Sequence, residues 1–263
     1  GLRPKQLIVI AGRPGSGKSV LGLQLAAHAT IDLGKAVLFV SLEMSRQELA
    51  ERLFAARAEV HAERIASGHL DEDDRRRLVD AQNQIGFPSS AIDDTPRRSI
   101  VEIVSQARRL KRSGGLDLLV VDYLQLIEPD NSRDPRHEQV ARMARRLKML
   151  ARELEIPVVC LAQLNREVEK AGNGKPKLSH LRESGSIEQD ADVVILVHRE
   201  EQSRPDDPDV IGQAELIVAK QRNGRTGTVR ALWQGETYRF LPLSHHCTWD
   251  PNNWQSQQTA NAF

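Results

Sequence analysis

Eight consecutive residues near the start of the chain have the spacing of a phosphate-binding loop. They follow an apolar run, precede a helical pattern and fit G-x-x-x-x-G-K-[ST]. Glycines at this spacing let backbone N–H groups close around phosphate oxygens, the lysine brings positive charge to the β and γ phosphates, and the last hydroxyl can ligate Mg²⁺. The sequence therefore predicts a site for ATP and Mg²⁺ formed by Gly12, Arg13, Pro14, Gly15, Ser16, Gly17, Lys18 and Ser19, called the P-loop below.

Three polar residues that follow apolar runs could complete a hydrolytic site. In an open parallel sheet, ligands lie at the carboxyl ends of the strands. Asp122 ends such a run and is predicted to hold Mg²⁺ together with Ser19. Glu43 is predicted to be the general base, and Gln163 to bond the γ-phosphate and report its loss. A surface glutamate near a helix start and a solvated glutamine are the alternatives.

Alternating strand and helix patterns position these residues. They predict an α/β fold with a mostly parallel central sheet flanked by helices. After residue 213, two alternating segments around Asn223-Gly224 predict an antiparallel hairpin at the C-terminal edge. The predicted strands are 7–11, 36–40, 116–121, 156–161 and 192–197, and the predicted helices are 20–30, one from about Ser45, 71–85, 99–112 and 137–154. Residues 1–243 are expected to form one domain, and residues 244–263 a polar tail.

Composition limits the function classes. The net charge is +1, so any DNA contact must be local or shared among subunits. Aromatic residues make up 4% of the chain, which argues against base stacking and favours contact through phosphates. The absence of a long apolar stretch predicts no membrane association. The two cysteines imply no disulfide framework, and we expect a cytoplasmic protein.

Two further polar segments lie outside these motifs. The predicted helix 137–154 carries a basic stripe, which is either a solvated face or a surface for DNA or a partner; its residues are Arg142, Arg145, Arg146, Lys148 and Arg152. Residues 199–209 are interrupted by proline and are predicted to form a polar surface loop.

Four stretches resemble the DnaB family of hexameric helicases, in the family's order. They are Ser-Leu-Glu-Met-Ser at 41–45, Asp-Tyr-Leu-Gln-Leu-Ile at 122–127, the segment 178–192, and Ala-Lys-Gln-Arg-Asn-Gly at 219–224. The resemblance implies a RecA-like P-loop NTPase fold and an ATP-dependent replicative helicase motor. Such a motor hydrolyses ATP at subunit interfaces, moves 5′→3′ on single-stranded DNA and unwinds duplex.

The resemblance also implies roles for five further residues. Arg182, Glu183 and Gly185 match the family loop that holds a DNA strand by its phosphates, with a local ion pair as the alternative. Lys220 and Arg222 match the pair that reaches a neighbouring subunit's ATP site, where Arg222 would be an arginine finger. Exposed hairpin charges are the alternative for that pair.

The family further implies partners, and the sequence departs from its pattern in places. A hexameric ring of identical subunits and a helicase loader are expected. Ser16 and Ser19 stand where Met and Thr are more usual, and His180 stands where Asp is usual. The family's N-terminal domain and linker helix, which bind primase, are not part of this sequence, so primase binding is left open, as is whether this is an excised domain or a stand-alone relative.

Two other functions share the P-loop and Asp122. The first is a RecA- or KaiC-like ATPase that forms rings or filaments in recombination or regulation. The second is a nucleotide switch without motor activity.

Overall fold

The computed structural model describes residues 1–85, 90–129, 133–165 and 175–243. Within these residues nine strands form one sheet, in the order β3-β2-β4-β5-β1-β6-β7-β8-β9. The strands are β1 (Leu7–Gly12), β2 (Val37–Ser41), β3 (Ser90–Asp93), β4 (Leu118–Asp122), β5 (Val158–Gln163), β6 (Val193–His198), β7 (Gln213–Gln221), β8 (Gly227–Gln234) and β9 (Arg239–Pro242).

The first six strands pair in parallel, and β6 to β9 pair antiparallel. This arrangement confirms the α/β prediction with an antiparallel C-terminal edge. The edge is one strand longer than predicted, because β9 pairs with β8, and β3 was not predicted either. Each of these two strands has only four residues, which is too short for a clear period-2 pattern.

Seven α-helices accompany the sheet in the described part of the chain. They are α1 (Lys18–Ala27), α2 (Arg46–Ala58), α3 (Ala62–Ser67), α4 (Glu72–Gln84), α5 (Ile100–Ser113), α6 (Arg136–Leu154) and α7 (Gly185–Asp190). Two of them, α3 and α7, were not predicted. No helix among the described residues is long and apolar enough to cross a membrane.

Two apolar layers bury the sheet. Alternate residues of β1 face opposite layers, because successive side chains of a strand point to opposite faces. Leu7 and Val9 pack in the layer of α5 and α6, whereas Ile8 and Ile10 pack in the layer of α1, α2 and α4. The strand is therefore apolar along its whole length, as expected of a parallel strand covered on both faces.

The basic stripe of α6 is largely paired within the chain. Arg142 lies 2.7 Å from the Asp134 carboxylate, and Lys148 lies 2.5 Å from that of Asp192. The more exposed Arg145 lies 3.7 Å from Asp190. These pairs favour the interpretation of a solvated helix face over a surface for DNA or a partner.

Candidate nucleotide-binding site

The P-loop leaves β1 at Gly12 and enters α1 at Lys18. Gly15 and Gly17 have φ values of 71° and 94°, which residues with a Cβ rarely adopt. A Cβ on Gly12 would lie 2.3 Å from the Ser16 hydroxyl oxygen. The loop therefore needs glycine at all three positions to fold back tightly over the end of β1.

Two buried polar side chains face into this loop. Lys18 is 7% exposed, and its Nζ donates a hydrogen bond to the Arg13 carbonyl oxygen at 3.3 Å. Burial lowers the pKa of Lys18, while Asp122 and Glu43 act against that shift. The buried Ser16 hydroxyl has no hydrogen-bond partner among the described residues. An unpaired donor and a desolvated cation suit a bound phosphate.

Asp122 is a fully buried carboxylate at the end of β4. It pairs with Ser41 at the end of β2, and neither of its oxygens accepts a standard hydrogen bond from a described residue. Burial raises the pKa of Asp122 to about 6; the Ser19 hydroxyl acts against that shift, Glu43 adds to it, and Lys18 opposes it. A buried carboxylate beside a serine hydroxyl is a donor set that Mg²⁺ accepts.

A cleft of about 290 Å³ lies in front of these groups. It brings together seven residues that the sequence predicted, and these are Pro14, Gly15, Gly17, Lys18, Ser19, Glu43 and Gln163. Its remaining lining residues are Val20, Met44, Arg52, Trp233 and Tyr238.

Glu43 occupies the tight turn between β2 and α2. The Ser41 hydroxyl donates to the Met44 carbonyl oxygen at 2.6 Å and accepts from the Met44 N–H at 3.2 Å. Ser45 then caps α2. Because both ends of the turn are fixed, the exposed Glu43 carboxylate is held at the cleft, where it can reach solvent or a substrate.

Larger cavities lie elsewhere. One of about 490 Å³ between α1 and α2 adjoins the cleft through Arg52 and Tyr238, and one of about 740 Å³ lies near the amino ends of the parallel strands. Neither is lined by the P-loop glycines or by Glu43. The smaller cleft is therefore the candidate site.

Arg199 and Gln202 are site residues that the sequence did not reveal. Arg199 Nη1 donates to the Gly15 carbonyl oxygen at 2.9 Å, and Gln202 Nε2 donates to that of Pro14 at 3.2 Å. The polar surface loop predicted over 199–209 therefore contacts the P-loop through its first turn. Its position in the sequence could have indicated Arg199, because it directly follows the carboxyl end of a parallel strand, where ligands lie.

Aromatic and basic residues from distant segments close the cleft. The Arg199 guanidinium lies 4.4 Å from the Trp233 ring centroid, and that of Arg52 lies 4.9 Å from the Tyr238 ring centroid. A Cβ on Gly17 would lie 2.7 Å from the Phe240 ring. No motif spacing links these positions, so sequence reasoning missed them.

Lys220 and Arg222 do not enter the cleft of their own chain. Lys220 pairs with Val194 near the start of β6, whereas Gly12 of the P-loop pairs with Val197 near its end. Their side chains instead bind the end of α7: Lys220 Nζ donates to the Glu188 carbonyl oxygen, and Arg222 Nη2 donates to that of Gln189 at 2.5 Å.

The predicted DNA-contacting residues lie on two short helices. Arg182 and Glu183 belong to the 3₁₀ segment Leu178–Ser184, and Gly185 begins α7. Their side chains lie outside what the structure describes. His180 has a local role, because its Nδ1 accepts a hydrogen bond from the Lys177 N–H at 3.0 Å.

Comparisons with known proteins give one family. Residues 1–242 match the model of the DnaB-like helicase C terminal domain. The chain is 44% identical over 244 residues to the replicative DNA helicase DnaB of Leifsonia xyli subsp. xyli, covering 93% of this chain and 53% of that protein. It is 39% identical over 244 residues to the DnaB of Geobacillus stearothermophilus, covering 92% and 54%. The chain thus spans about half the length of these relatives.

Solved structures agree with the sequence comparisons. A separately solved ATPase domain superposes with a TM-score of 0.87 at 33% identity, over 93% of this chain and 87% of that one. A DnaB-like replicative helicase, solved in a study of its interactions with primase, superposes with a TM-score of 0.88 at 33% identity, over 93% and 59%. The fold is therefore RecA-like, as the sequence resemblance implied.

Proposed function

Because the chain belongs to the family of DnaB-like helicase C-terminal domains, we propose that it is the ATP-hydrolysing motor of a replicative DNA helicase. It acts within a hexameric ring, moves 5′→3′ on single-stranded DNA and unwinds duplex. A RecA- or KaiC-like ATPase and a nucleotide switch without motor activity are not favoured by this family membership.

One observation carries the proposal, namely the buried Asp122 carboxylate at the end of β4. An ionised carboxylate removed from water and left without standard hydrogen bonds is costly to the folded state. The Asp122 carboxylate is buried in this way beside Ser19 and Lys18, and the described residues give it no standard hydrogen bond. A chain that keeps such a group next to a phosphate-binding loop is suited to bind a divalent cation together with a nucleotide.

The predicted residues in and beside the cleft have distinct parts in the proposed hydrolysis. The P-loop N–H groups, Lys18 and the N-terminal end of α1 bind the phosphates. Ser19 and Asp122 would hold Mg²⁺, which would supply positive charge to the nucleotide phosphates. Glu43 takes a proton from the attacking water, and Gln163 bonds the γ-phosphate.

The position of Lys220 and Arg222 supports a site shared between subunits. Lys220 pairs with Val194 of β6, whereas Gly12 of the P-loop pairs with Val197, three residues further along the same strand. The backbone of Lys220 therefore lies about 10 Å from the P-loop end of the sheet, measured along the strands. In the RecA-like ring proposed here, this pair serves a neighbouring subunit, where Arg222 stabilises negative charge on the transferred phosphoryl group.

DNA and protein partners follow from the same family. Arg182, Glu183 and Gly185 contact the phosphates of one strand, which suits a chain with a net charge of only +1 and few aromatic residues. A helicase loader is an expected partner. One similar helicase was solved in a study of its interactions with primase, so primase is a candidate partner here.

The test is steady-state ATP hydrolysis with and without single-stranded DNA over a range of protein concentrations. Wild type should show DNA-stimulated turnover that rises cooperatively with protein concentration. Arg222→Ala should lower turnover by about a thousandfold or more while nucleotide binding persists, because an arginine finger acts on the transition state.

Arg225→Ala is the matched control, since Arg225 is an exposed arginine in the same turn. It should keep wild-type turnover. Hydrolysis that ignores DNA and survives Arg222→Ala would exclude the helicase proposal and favour a nucleotide switch.

A further inference from the structure

The last residues of β5 lose their neighbouring strand. β4 pairs with β5 from Leu119↔Val158 to Val121↔Cys160 and no further. On the other side of β5, pairing with β1 continues to Gly12↔Gln163. Gln163 therefore ends its strand at the edge of a gap between β4 and β5.

The backbone of Gln163 faces this gap. The next residue, Leu164, donates its N–H to the Gly12 carbonyl oxygen at 3.1 Å, so that bond points towards β1. Successive residues of a strand direct their backbone groups to opposite sides. The N–H and carbonyl oxygen of Gln163 thus point towards β4, where no residue of a described strand meets them.

The side chain of Gln125 occupies this position. Its Oε1 accepts a hydrogen bond from the Gln163 N–H at 3.2 Å, and its Nε2 donates one to the Gln163 carbonyl oxygen at 3.0 Å. A carboxamide has the donor and acceptor of a peptide unit. Gln125 therefore replaces one residue of a missing strand.

Gln125 is itself held close to the metal-binding carboxylate. It lies three residues after Asp122, in the 3₁₀ turn Leu124–Leu126. Leu124, just before Gln125, and Ile127, two residues after it, are each 1% exposed. The Arg136 side chain donates to the Gln125 carbonyl oxygen, which ties the turn to the start of α6.

We propose that Gln125 positions Gln163 for the γ-phosphate, by clamping both backbone groups of Gln163 with its carboxamide. The inference rests on the proposed ATP hydrolysis. Gln125 does not line the cleft, whereas Gln163 does, so Gln125 acts through Gln163 and is a positioning residue. The clamp also joins the strand that ends at Asp122 to the strand that ends at Gln163.

Gln125→Met tests the clamp, because methionine has a similar length and neither hydrogen-bonding group. The turnover number should fall about 10- to 100-fold, the range that a small misplacement of a catalytic group produces. The dissociation constant of a fluorescent ATP analogue should stay within about twofold, because the P-loop contacts are intact. Gln82→Met, at an exposed glutamine of α4, is the matched control and should leave both values unchanged.

A double-mutant cycle separates positioning from an independent role. If Gln125 acts only through Gln163, the Gln125→Met/Gln163→Met protein should turn over no more slowly than Gln163→Met alone. Losses that multiply would overturn the proposal, as would full turnover in Gln125→Met.

One readout does not depend on activity at all. Hydrogen exchange of the Gln163 amide in the nucleotide-free protein should speed up in Gln125→Met, because its acceptor is removed. Unchanged exchange would overturn the clamp.

Gln125→Glu provides a conservative variant should Gln125→Met not fold. It keeps the acceptor for the Gln163 N–H but faces the carbonyl oxygen with a carboxylate. Its turnover at pH 8 should fall as in Gln125→Met, since an ionised carboxylate cannot donate to the Gln163 carbonyl oxygen. Wild-type turnover in Gln125→Glu at pH 8 would overturn the proposal. Absence of turnover in wild type, by contrast, would overturn the proposed function itself.

Discussion

Asp122 lies where an ionised carboxylate weakens the folded state. Its pKa is raised by burial from 3.8 to about 6, so the folded chain binds a proton more tightly than the unfolded chain does. By linkage, the contribution of Asp122 to the stability of the wild type falls as pH rises from about 4 to about 6 and then stays low. In the proposed function, the residue serves Mg²⁺ binding at the expense of folding.

Asp122→Asn should raise the free energy of unfolding without ligand, because it removes the buried charge. The gain should be about 1 to 3 kcal/mol at pH 8, should shrink as pH falls from about 6 to about 4, and should vanish near pH 3, where the wild-type carboxyl is protonated in both states. Denaturant unfolding at several pH values measures it.

The same variant should lose Mg²⁺-dependent hydrolysis. Asp80→Asn, on the exposed face of α4, is the control and should leave stability and hydrolysis unchanged. A destabilised Asp122→Asn protein at pH 8 would show that the carboxylate has a structural partner in the folded chain.

At the scale of elements, the sequence predicted those strands and helix ends that depend on residues close together in the chain. Long apolar runs located β1 and the central strands, and Ser45 with Glu48 located the start of α2. The structure confirms that capping box: the Ser45 hydroxyl accepts from the Glu48 N–H at 3.3 Å, and Glu48 accepts from the Ser45 N–H at 2.8 Å.

What the sequence did not predict depends on contacts between distant segments. β9 forms because β8 offers an edge, and Gln125 meets Gln163 because β4 and β5 separate. Arg199 reaches the P-loop from 184 positions away in the chain. Such contacts have no period or spacing, so the P-loop, Asp122 and Glu43 could be predicted whereas the residues that support them could not.

Ser45→Ala should lower the stability of the protein by about 1 kcal/mol, because the first turn of α2 loses its cap. For a chain of this size the melting temperature should fall by about 2 to 4 °C. The cap also fixes one end of the turn that carries Glu43, so turnover should fall as well. Thermal unfolding and ATP hydrolysis measure the two effects.

Ser105→Ala is the matched control, since Ser105 lies exposed within α5 and caps no helix. Alanine there should be neutral or slightly stabilising. Equal melting temperatures for Ser45→Ala and wild type would mean that the capping box contributes nothing to the stability of the chain.

For the whole molecule, the nucleotide cleft and the Lys220–Arg222 pair face opposite ends of the sheet. In the single chain this pair binds carbonyl groups at the end of α7, next to the segment that carries the predicted DNA contacts. The Arg222 guanidinium also lies 3.6 Å from the Asp192 carboxylate. To serve a neighbouring cleft in the proposed ring, both side chains must leave these partners.

A mixture of Glu43→Gln and Arg222→Ala proteins should regain activity that neither has alone. In a ring, one kind of interface joins a cleft with an intact Glu43 to a neighbour with an intact Arg222. Random mixing in equal amounts makes about a quarter of the head-to-tail interfaces of this kind, so about a quarter of wild-type turnover is expected. Steady-state ATP hydrolysis after joint assembly of the two proteins measures it.

A mixture of Glu43→Gln with Lys18→Ala should stay inactive, because both changes damage the cleft of their own subunit. If the first mixture also stays inactive although the two proteins assemble together, Glu43 and Arg222 do not form a shared site, and Arg222 has only the intramolecular role seen at the end of α7.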